Sequence, residues 1–276
     1  MTRSLPAAFA TAVVLLACGA SPPVPEPAPE AATPGASTVP DDCTTTVSGG
    51  GDALDTALRA AEAGAVVCVQ PGVYTGSHVF MRSATVKALG DGVILDAGGE
   101  GPVLGVLQRG IRVELNGLTL RNGTAHAGGV LPLEEVAEVV FVNCTMTGNT
   151  ASDYGGGAVF ARRGKVVLDG CTVTGNKGKT GGALLADGAS YWEIRGTKVT
   201  GNEGVHGGGM AVREGAQVEM DGSTVTGNTA SGEGGAQIYI DGSTTQAPEV
   251  AIRTSTVQGG EPAIHVGSDL ATVVRE

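Results

Sequence analysis

Apolar residues recur along the chain in an alternating pattern that returns every 26 or 27 residues. A six-residue motif marks each return, with copies that begin at Cys144, Cys171, Thr197 and Ser223. Before the motif, two columns of positions, two residues apart, are apolar in every repeat. The columns hold Val113, Val139, Val166, Trp192, Val218 and Val250, and Leu115, Phe141, Leu168, Ile194, Met220 and Ile252. Alternation with a period of two indicates strands with one buried face, and a constant repeat length indicates stacked units.

Each repeat contains three strand-like segments: the alternating segment, the motif, and a segment that follows a pair of glycines. The central apolar residue of the motif is predicted to face inward at Leu120, Met146, Val173, Val199, Val225 and Val257. The motif ends in Gly-Asn, where a corner needs a left-handed residue and the asparagines can stack as an amide ladder. Three short strands per repeat predict one turn of a parallel β-helix, whose coils lie about 4.8 Å apart. Residues 41–276 would form roughly nine coils, and the pattern leaves open which side of the third strand faces inward.

A helix is predicted at 52–64, where apolar residues lie at helical spacing. Asp52 is suited to cap the start of this helix and Gly64 to end it. Because the open end of a stacked sheet must be covered, we expect this helix to cap the first coil.

The first forty residues differ from the repeats. Residues 1–17 place one Arg before an apolar run too short to span a bilayer, as in a secretory signal peptide. The segment LLACG around Cys18 resembles a bacterial lipobox, which implies lipidation of the Cys18 thiol, and Gly19 resembles the signal of lipoproteins sorted to an outer membrane. Residues 18–40 are rich in Pro, Ala and Glu and are predicted to form a disordered tether to a single domain at 41–276.

The charge narrows the range of partners. The chain has 17 Lys and Arg against 28 Asp and Glu, a net charge of −11. Such an acidic chain is unsuited to nucleic acid and to electrostatic binding of anionic lipid. The expected membrane contact is therefore the lipid anchor, which places the protein at a bacterial outer membrane, in the periplasm or exposed at the cell surface.

Two resemblances to known families rest on these segments. The helix at 52–64, the strand and turn VVCVQPGVYTG at 66–76 and the segment VILDAGG at 93–99 resemble the first coils of the pectin-lyase-like superfamily. This resemblance covers most of residues 43–276 and implies an all-β, right-handed parallel β-helix with an N-terminal capping α-helix. The VTGN segments and the GGAV and GGAL segments that follow resemble polymorphic outer-membrane-protein repeats, which occur in adhesin-like surface proteins. Neither resemblance implies one activity, because the superfamily holds enzymes, adhesins and stalks.

Charged residues on the outer side of the first strand form a candidate site. Three consecutive coils supply Asp169, Glu193, Arg195, Glu219 and Asp221. The resemblance to calcium-dependent pectate lyases implies that the four carboxylates would hold Ca²⁺ and that Arg195 would remove the α-proton. The alternative is structural, because Asp169, Arg195, Asp221 and Arg253 alternate in sign down one column and can pair across strands. We favour the structural interpretation, which assigns no catalytic residue, no metal ligand and no cofactor.

Four cysteines besides Cys18 lie in an exported, oxidising setting. Cys43 precedes the predicted helix and Cys68 lies on the strand after it, so a disulfide between them is predicted to tie the cap to the first coil. Cys144 and Cys171 share one inward column on adjacent coils. A second disulfide is predicted between them, with a reduced stack as the alternative.

The sequence supports two functional hypotheses. The first is a non-catalytic envelope lipoprotein whose β-helix binds a glycan or another surface protein. The alternative is a polysaccharide lyase, or another carbohydrate-active enzyme, that acts on a polyuronate. An open groove on the face that carries residues 169–221 would favour the enzyme, and a flat, self-paired surface would favour the scaffold.

Overall fold

The computed structural model describes residues 42–232, 236–242, 246–267 and 272–275. The predictions for the signal peptide, for lipidated Cys18 and for the tether at 18–40 lie outside these residues. In the described part of the chain, strands pair in parallel with their copies in the adjacent coil. The chain therefore winds as a parallel β-helix with three faces, as the repeat predicted.

The first face is built from the alternating segments. Its strands are Thr45–Val47, Ala65–Val69, Ala84–Ala88, Arg112–Asn116, Glu138–Val142, the second halves of Val159–Asp169 and Leu184–Arg195, Gln217–Asp221, Glu249–Arg253 and Thr272–Arg275. Both apolar columns predicted to face inward are buried, and Trp192 is completely buried among them. The interleaved column is exposed from Asp169 to Arg253. The predicted orientation of this strand is confirmed.

The motif face carries the recurring six residues. Its strands are Gly72–Thr75, Val93–Asp96, Thr119–Arg121, Thr145–Thr147, Thr172–Thr174, Lys198–Thr200, Thr224–Thr226 and Thr256–Gln258. These eight strands form one sheet and correspond to about eight turns, one fewer than the sequence suggested. Division of the domain by 26 overcounts because residues 53–60 form a helix and because the coil after Ser223 is longer than the others.

The third face follows the glycine pairs. Its strands are His78–Phe80, Leu104–Val106, Leu131–Leu133, the first halves of Val159–Asp169 and Leu184–Arg195, Gly207–Arg213, Ala236–Asp241 and Ile264–Val266. Shorter strands at the corner before it are Thr124–Ala125, Thr150–Ala151, Glu203–Gly204 and Thr229–Ala230. Leu184 and Ala186 pack in the core, whereas Leu185 packs in a separate outer cluster. This settles the orientation that the sequence left open.

The corner after the motif face holds the amide ladder that the repeat predicted. Asn149, Asn176, Asn202 and Asn228 are buried, and each side-chain amide bonds to the carbonyl oxygen of the next amide in the stack at 2.8–2.9 Å. The last acceptor is Gln237, which continues the ladder from the third face. The glycine before each asparagine has a φ of 63–65°. The Gly-Asn pair therefore turns the chain and also satisfies buried polar groups.

The corner before the motif face is a stack of small hydroxyl and thiol groups. Thr197 Oγ1 accepts the amide of Cys171 at 3.2 Å and donates to the carbonyl of Arg195 at 3.0 Å. Cys171 and Cys144 occupy equivalent places, and their thiols donate to carbonyl oxygens of the preceding coil at 3.3 and 3.4 Å. Both cysteines are free and buried, so the predicted disulfide between them is wrong. Each thiol replaces a hydroxyl in the stack and remains bonded to the backbone.

The N-terminal end of the stack is covered by the helix Ala53–Ala60, which buries Leu54 and Leu58. Asp52 lies at the N-cap without a side-chain capping bond, and the helix ends at Ala60, with extended Ala61 as its C-cap, rather than at Gly64. Cys43 and Cys68 are joined by a disulfide with a Cα–Cα distance of 5.6 Å, the bond that the sequence predicted. It ties the segment before the helix to the second strand of the first face.

Candidate functional site

The charged group predicted on the first face is assembled in the expected register. Asp169 lies beside Arg195, and Arg195 lies beside Asp221. The ion pairs do not join these neighbours. The Glu193 carboxylate binds Lys165 Nζ at 2.5 Å, and it also binds the guanidinium of Arg195 on its own strand. The hydrogen bond from Lys165 lowers the pKa of Glu193 most, and the charge of Arg195 lowers it further.

Asp221 and Glu219 have separate partners, whereas the Asp169 side chain has no hydrogen-bond or ion-pair partner among the described residues. Asp221 accepts a hydrogen bond from the Thr254 hydroxyl, and Glu219 lies 3.8 Å from the guanidinium of Arg253. Among the described residues, the single set of three or more potential ligand atoms within 4.8 Å of one another is Asp42, Cys43 and Cys68. Those cysteines are bonded to each other. Residues 169–221 therefore present a largely self-paired surface, although not the simple column of alternating pairs that the sequence suggested.

A second group of polar residues lies on the outer side of the third face. Its base is a small apolar cluster that is separate from the core and consists of Ala127, Phe160, Leu185 and Ala211. Tyr154, from the turn before the strand Val159–Asp169, packs edge-on against Phe160 with ring centroids 5.7 Å apart. Tyr239 borders the same cluster on a later coil. This layer raises two tyrosines above the sheet surface.

A groove of about 470 Å³ lies over this layer, and we call it the third-face groove. It is lined by Asp153, Tyr154, Lys179, Thr180, Val205, His206, Arg213, Tyr239 and Asp241. Lys179 is exposed, and it has no ion-pair partner among the described residues. The groove therefore combines aromatic rings with both signs of charge within a volume typical of small-ligand sites.

One wall of the groove is a hydrogen-bonded set centred on Tyr154. Its hydroxyl donates to Asp187 Oδ2 at 2.7 Å and accepts from Arg213 Nη1 at 3.2 Å. Burial, and then the hydrogen bond to Asp187, raise the pKa of Tyr154 to about 12. Asp187 is 2% exposed, and its other oxygen, Oδ1, has no hydrogen-bond partner in the described part of the chain. A buried carboxylate oxygen without a partner is unusual, and a functional role is one of the explanations for such an atom.

The opposite wall is a stack of rings from three coils. The ring of Tyr239 lies between His206 and His265, with centroid distances of 5.1 and 5.3 Å. Its hydroxyl donates to Asp241 Oδ2 at 3.2 Å, and burial is the main cause of its raised pKa. Because both faces of Tyr239 are covered, the edges of these rings, with their nitrogen and oxygen atoms, are what remain for a ligand. This wall is suited to hydrogen bonding with a polar ligand.

The sequence did not single out this site. The outward residues of the third strand could be identified only once its orientation was known, and Tyr154 lies on a turn outside the repeat. The signal that was present is compositional: the chain has four Tyr and four His, and two of each meet at this groove or in its ring stack.

Comparison with known proteins adds the family. The family described as "Right handed beta helix region" matches residues 73–257, which is more than half of the chain. The chain belongs to this right-handed β-helix family. No curated protein matches it. No solved structure matches it either. In the described part of this β-helix, no helix is both long and apolar enough to cross a membrane.

Proposed function

We propose that this right-handed β-helix is a non-catalytic envelope lipoprotein that binds a glycan in the third-face groove. The N-terminal sequence supports export and an anchor at Cys18 in an outer membrane. The observation that carries the binding role is the convergence of Tyr154, His206, Arg213 and Tyr239 on one groove in a chain where aromatic residues are only 3%.

The chemistry of the groove suits a sugar better than an apolar ligand. Tyrosine hydroxyls, imidazole nitrogens, carboxylates and a guanidinium all present hydrogen-bonding atoms at its surface. Sugar hydroxyls can both donate and accept hydrogen bonds, so they can use each of these groups. The groove is also a fixed feature of a stacked sheet, which reduces the entropy lost when a ligand binds.

The first face supports the non-catalytic part of the proposal. A lyase of the kind considered above needs several carboxylates free to hold one ion and a basic residue free to reach the substrate. Here the carboxylate of Glu193 is occupied by Lys165 and Arg195, so the proposed ion ligand and the proposed base neutralise each other.

A glycan array, probed with the full chain with and without Ca²⁺, tests the proposal. We expect binding that is independent of calcium and is weakened about tenfold or more by Arg213→Ala and by Lys179→Ala, since a hydrogen bond to a charged group contributes about 1.5–3 kcal/mol. Matched controls are Arg59→Ala on the capping helix and Lys198→Ala on the motif face, both exposed. Equal losses in the controls would refute this site. Calcium-dependent cleavage of a polyuronate that is lost in Arg195→Ala would replace the proposal with the lyase alternative.

A further inference from the structure

A second groove lies at the corner between the third face and the first face. Early coils turn this corner with loops, at residues 107–111 and 134–137, whereas the strands Val159–Asp169 and Leu184–Arg195 continue through it, with a bulge between Ala161 and Arg163. The loops therefore stand above the later coils as a wall. The space beside this wall is a groove of about 570 Å³, which we call the corner groove.

The wall is held in place by backbone contacts. Gly110 donates its amide to the carbonyl of Val136 at 2.7 Å, which joins the two loops. The second loop rests on Gly164, whose φ is +80° and where a Cβ atom would lie 2.3 Å from the carbonyl oxygen of Ala137. Only glycine permits that approach, so glycine at position 164 helps to shape the groove.

The lining of the corner groove is mostly apolar. Ile111, Val136, Ala137, Ala189 and the ring of Tyr191 supply it. Val136 is 54% exposed, although burial of a valine side chain lowers the free energy. The volume lies within the range of small-molecule sites. An apolar ligand body would therefore find both space and a surface to cover.

The charges at the groove favour an anionic group on the ligand, next to its apolar body. Its lining includes Arg112, Arg163 and Lys165 against one acidic residue, Glu138. That is three positive charges and one negative charge, in a chain whose net charge is −11.

Two of these cations are already paired. Arg112 binds Glu114 and Glu138 at 2.8 and 3.4 Å, and Lys165 binds Glu193 at 2.5 Å. Arg163 is exposed and has no hydrogen-bond or ion-pair partner within the described residues. Its guanidinium is therefore available to an anionic group.

We propose that the corner groove binds a small amphiphilic monoanion, a carboxylate attached to an apolar body, with the carboxylate on Arg163 and the body against Ile111 and Val136. This site is separate from the third-face groove and does not depend on glycan binding. The guanidinium fork suits a carboxylate because two parallel N–H donors match its two oxygens.

Calorimetric titration with decanoate and with the neutral decanol tests the site. The full chain carrying Cys18→Ser is used, so that no detergent competes for the groove. We expect saturable binding of one decanoate, weakened about tenfold by Arg163→Ala, with decanol binding unchanged by that substitution. Val136→Asn should weaken both ligands, because it changes the apolar wall.

Two controls distinguish this site from general surface effects. Arg162→Ala removes the neighbouring exposed arginine, and Val73→Asn changes a valine that is 41% exposed on the motif face. Both should leave decanoate affinity unchanged. The proposal is overturned if decanoate shows no saturable binding, or if either control weakens it as much as its partner substitution does. Melting curves establish that each variant is folded before it is titrated.

Discussion

Asp187 and His78 are the two described residues that have a buried side-chain polar atom without a hydrogen-bond partner. One carboxylate oxygen of Asp187 accepts a hydrogen bond from Tyr154, and the other has no hydrogen-bond partner among the residues that the structure describes. Leaving a buried polar atom unpaired costs about 1–3 kcal/mol. Its charge acts on Tyr154, so the ionisation of that tyrosine reports on Asp187.

Substitution of Asp187 by Asn should lower the pKa of Tyr154 from about 12 towards the usual value of about 10, because the opposing charge is removed. A raised pKa means that the folded state favours the neutral phenol. This contribution to the unfolding free energy is present below about pH 10 and is lost as pH rises through about 12. Phenolate absorbance and alkaline unfolding measure the two effects. Tyr154→Phe is the control, and a titration step near pH 12 whose amplitude is not reduced in it would contradict the assignment.

The corner stack of hydroxyls and thiols gives a second prediction. Cys171→Ser should change the unfolding free energy by less than about 1 kcal/mol, because a serine hydroxyl can make the bonds that the thiol makes. Thr197→Val should destabilise by about 1–3 kcal/mol, because it leaves the amide of Cys171 buried without an acceptor. Urea unfolding of both variants measures the difference. Similar losses in the two would show that packing, and not the hydrogen bond, governs this column.

The capping helix is joined to the stack by a buried contact as well as by the disulfide. His78 is completely buried on the first strand of the third face, and its Nδ1 lies 2.8 Å from Asp55 Oδ1 on the helix. Its Nε2 has no partner in the part of the chain that the structure describes. Besides the packing of Leu54 and Leu58, the helix is therefore held by a side-chain hydrogen bond to a residue that water does not reach.

Asp55→Ala should lower the unfolding free energy by about 1–3 kcal/mol, because it leaves His78 with no hydrogen-bond partner on either nitrogen. Asp52→Ala is the matched control on the same helix, since Asp52 makes no side-chain capping bond. We expect it to cost under about 1 kcal/mol. Thermal unfolding followed by circular dichroism compares them. Equal losses would assign the effect to helix charge rather than to His78.

The elements that repeat were predictable from sequence, and those that do not repeat were not. Two apolar columns fixed the inward side of the first strand, and the Gly-Asn pairs fixed a corner with its ladder. Arg195 was expected to pair across strands, yet it binds Glu193, two residues away on the same side of its own strand. The strand register determines where the backbones lie. A long side chain can then reach several charged neighbours at similar distances, so the register alone does not determine its partner. Tyr154 and the loops beside Gly164 carry no periodic signal at all.

The predicted lipid anchor at Cys18 concerns how the whole protein is attached to a membrane. Cys18→Ser should move the protein from the membrane fraction to the soluble fraction, because a thioether-linked lipid is expected to supply the attachment. Fractionation followed by immunoblotting measures it, with Cys171→Ser as the control. Unchanged partitioning of Cys18→Ser would contradict a lipoprotein.

The amide ladder has a consequence for how this chain could change in length. Each coil presents the same donors and acceptors above and below, so the coil from Cys171 to Gly196 could be duplicated in frame between Gly170 and Thr197. The copy would meet backbone and ladder groups in the same register that the original meets. Each added coil would raise the far end of the stack by about 4.8 Å without rebuilding either end. Duplication of one coil is therefore a simple genetic route to a taller protein, but it would part Tyr154 from Arg213 and so change the third-face groove.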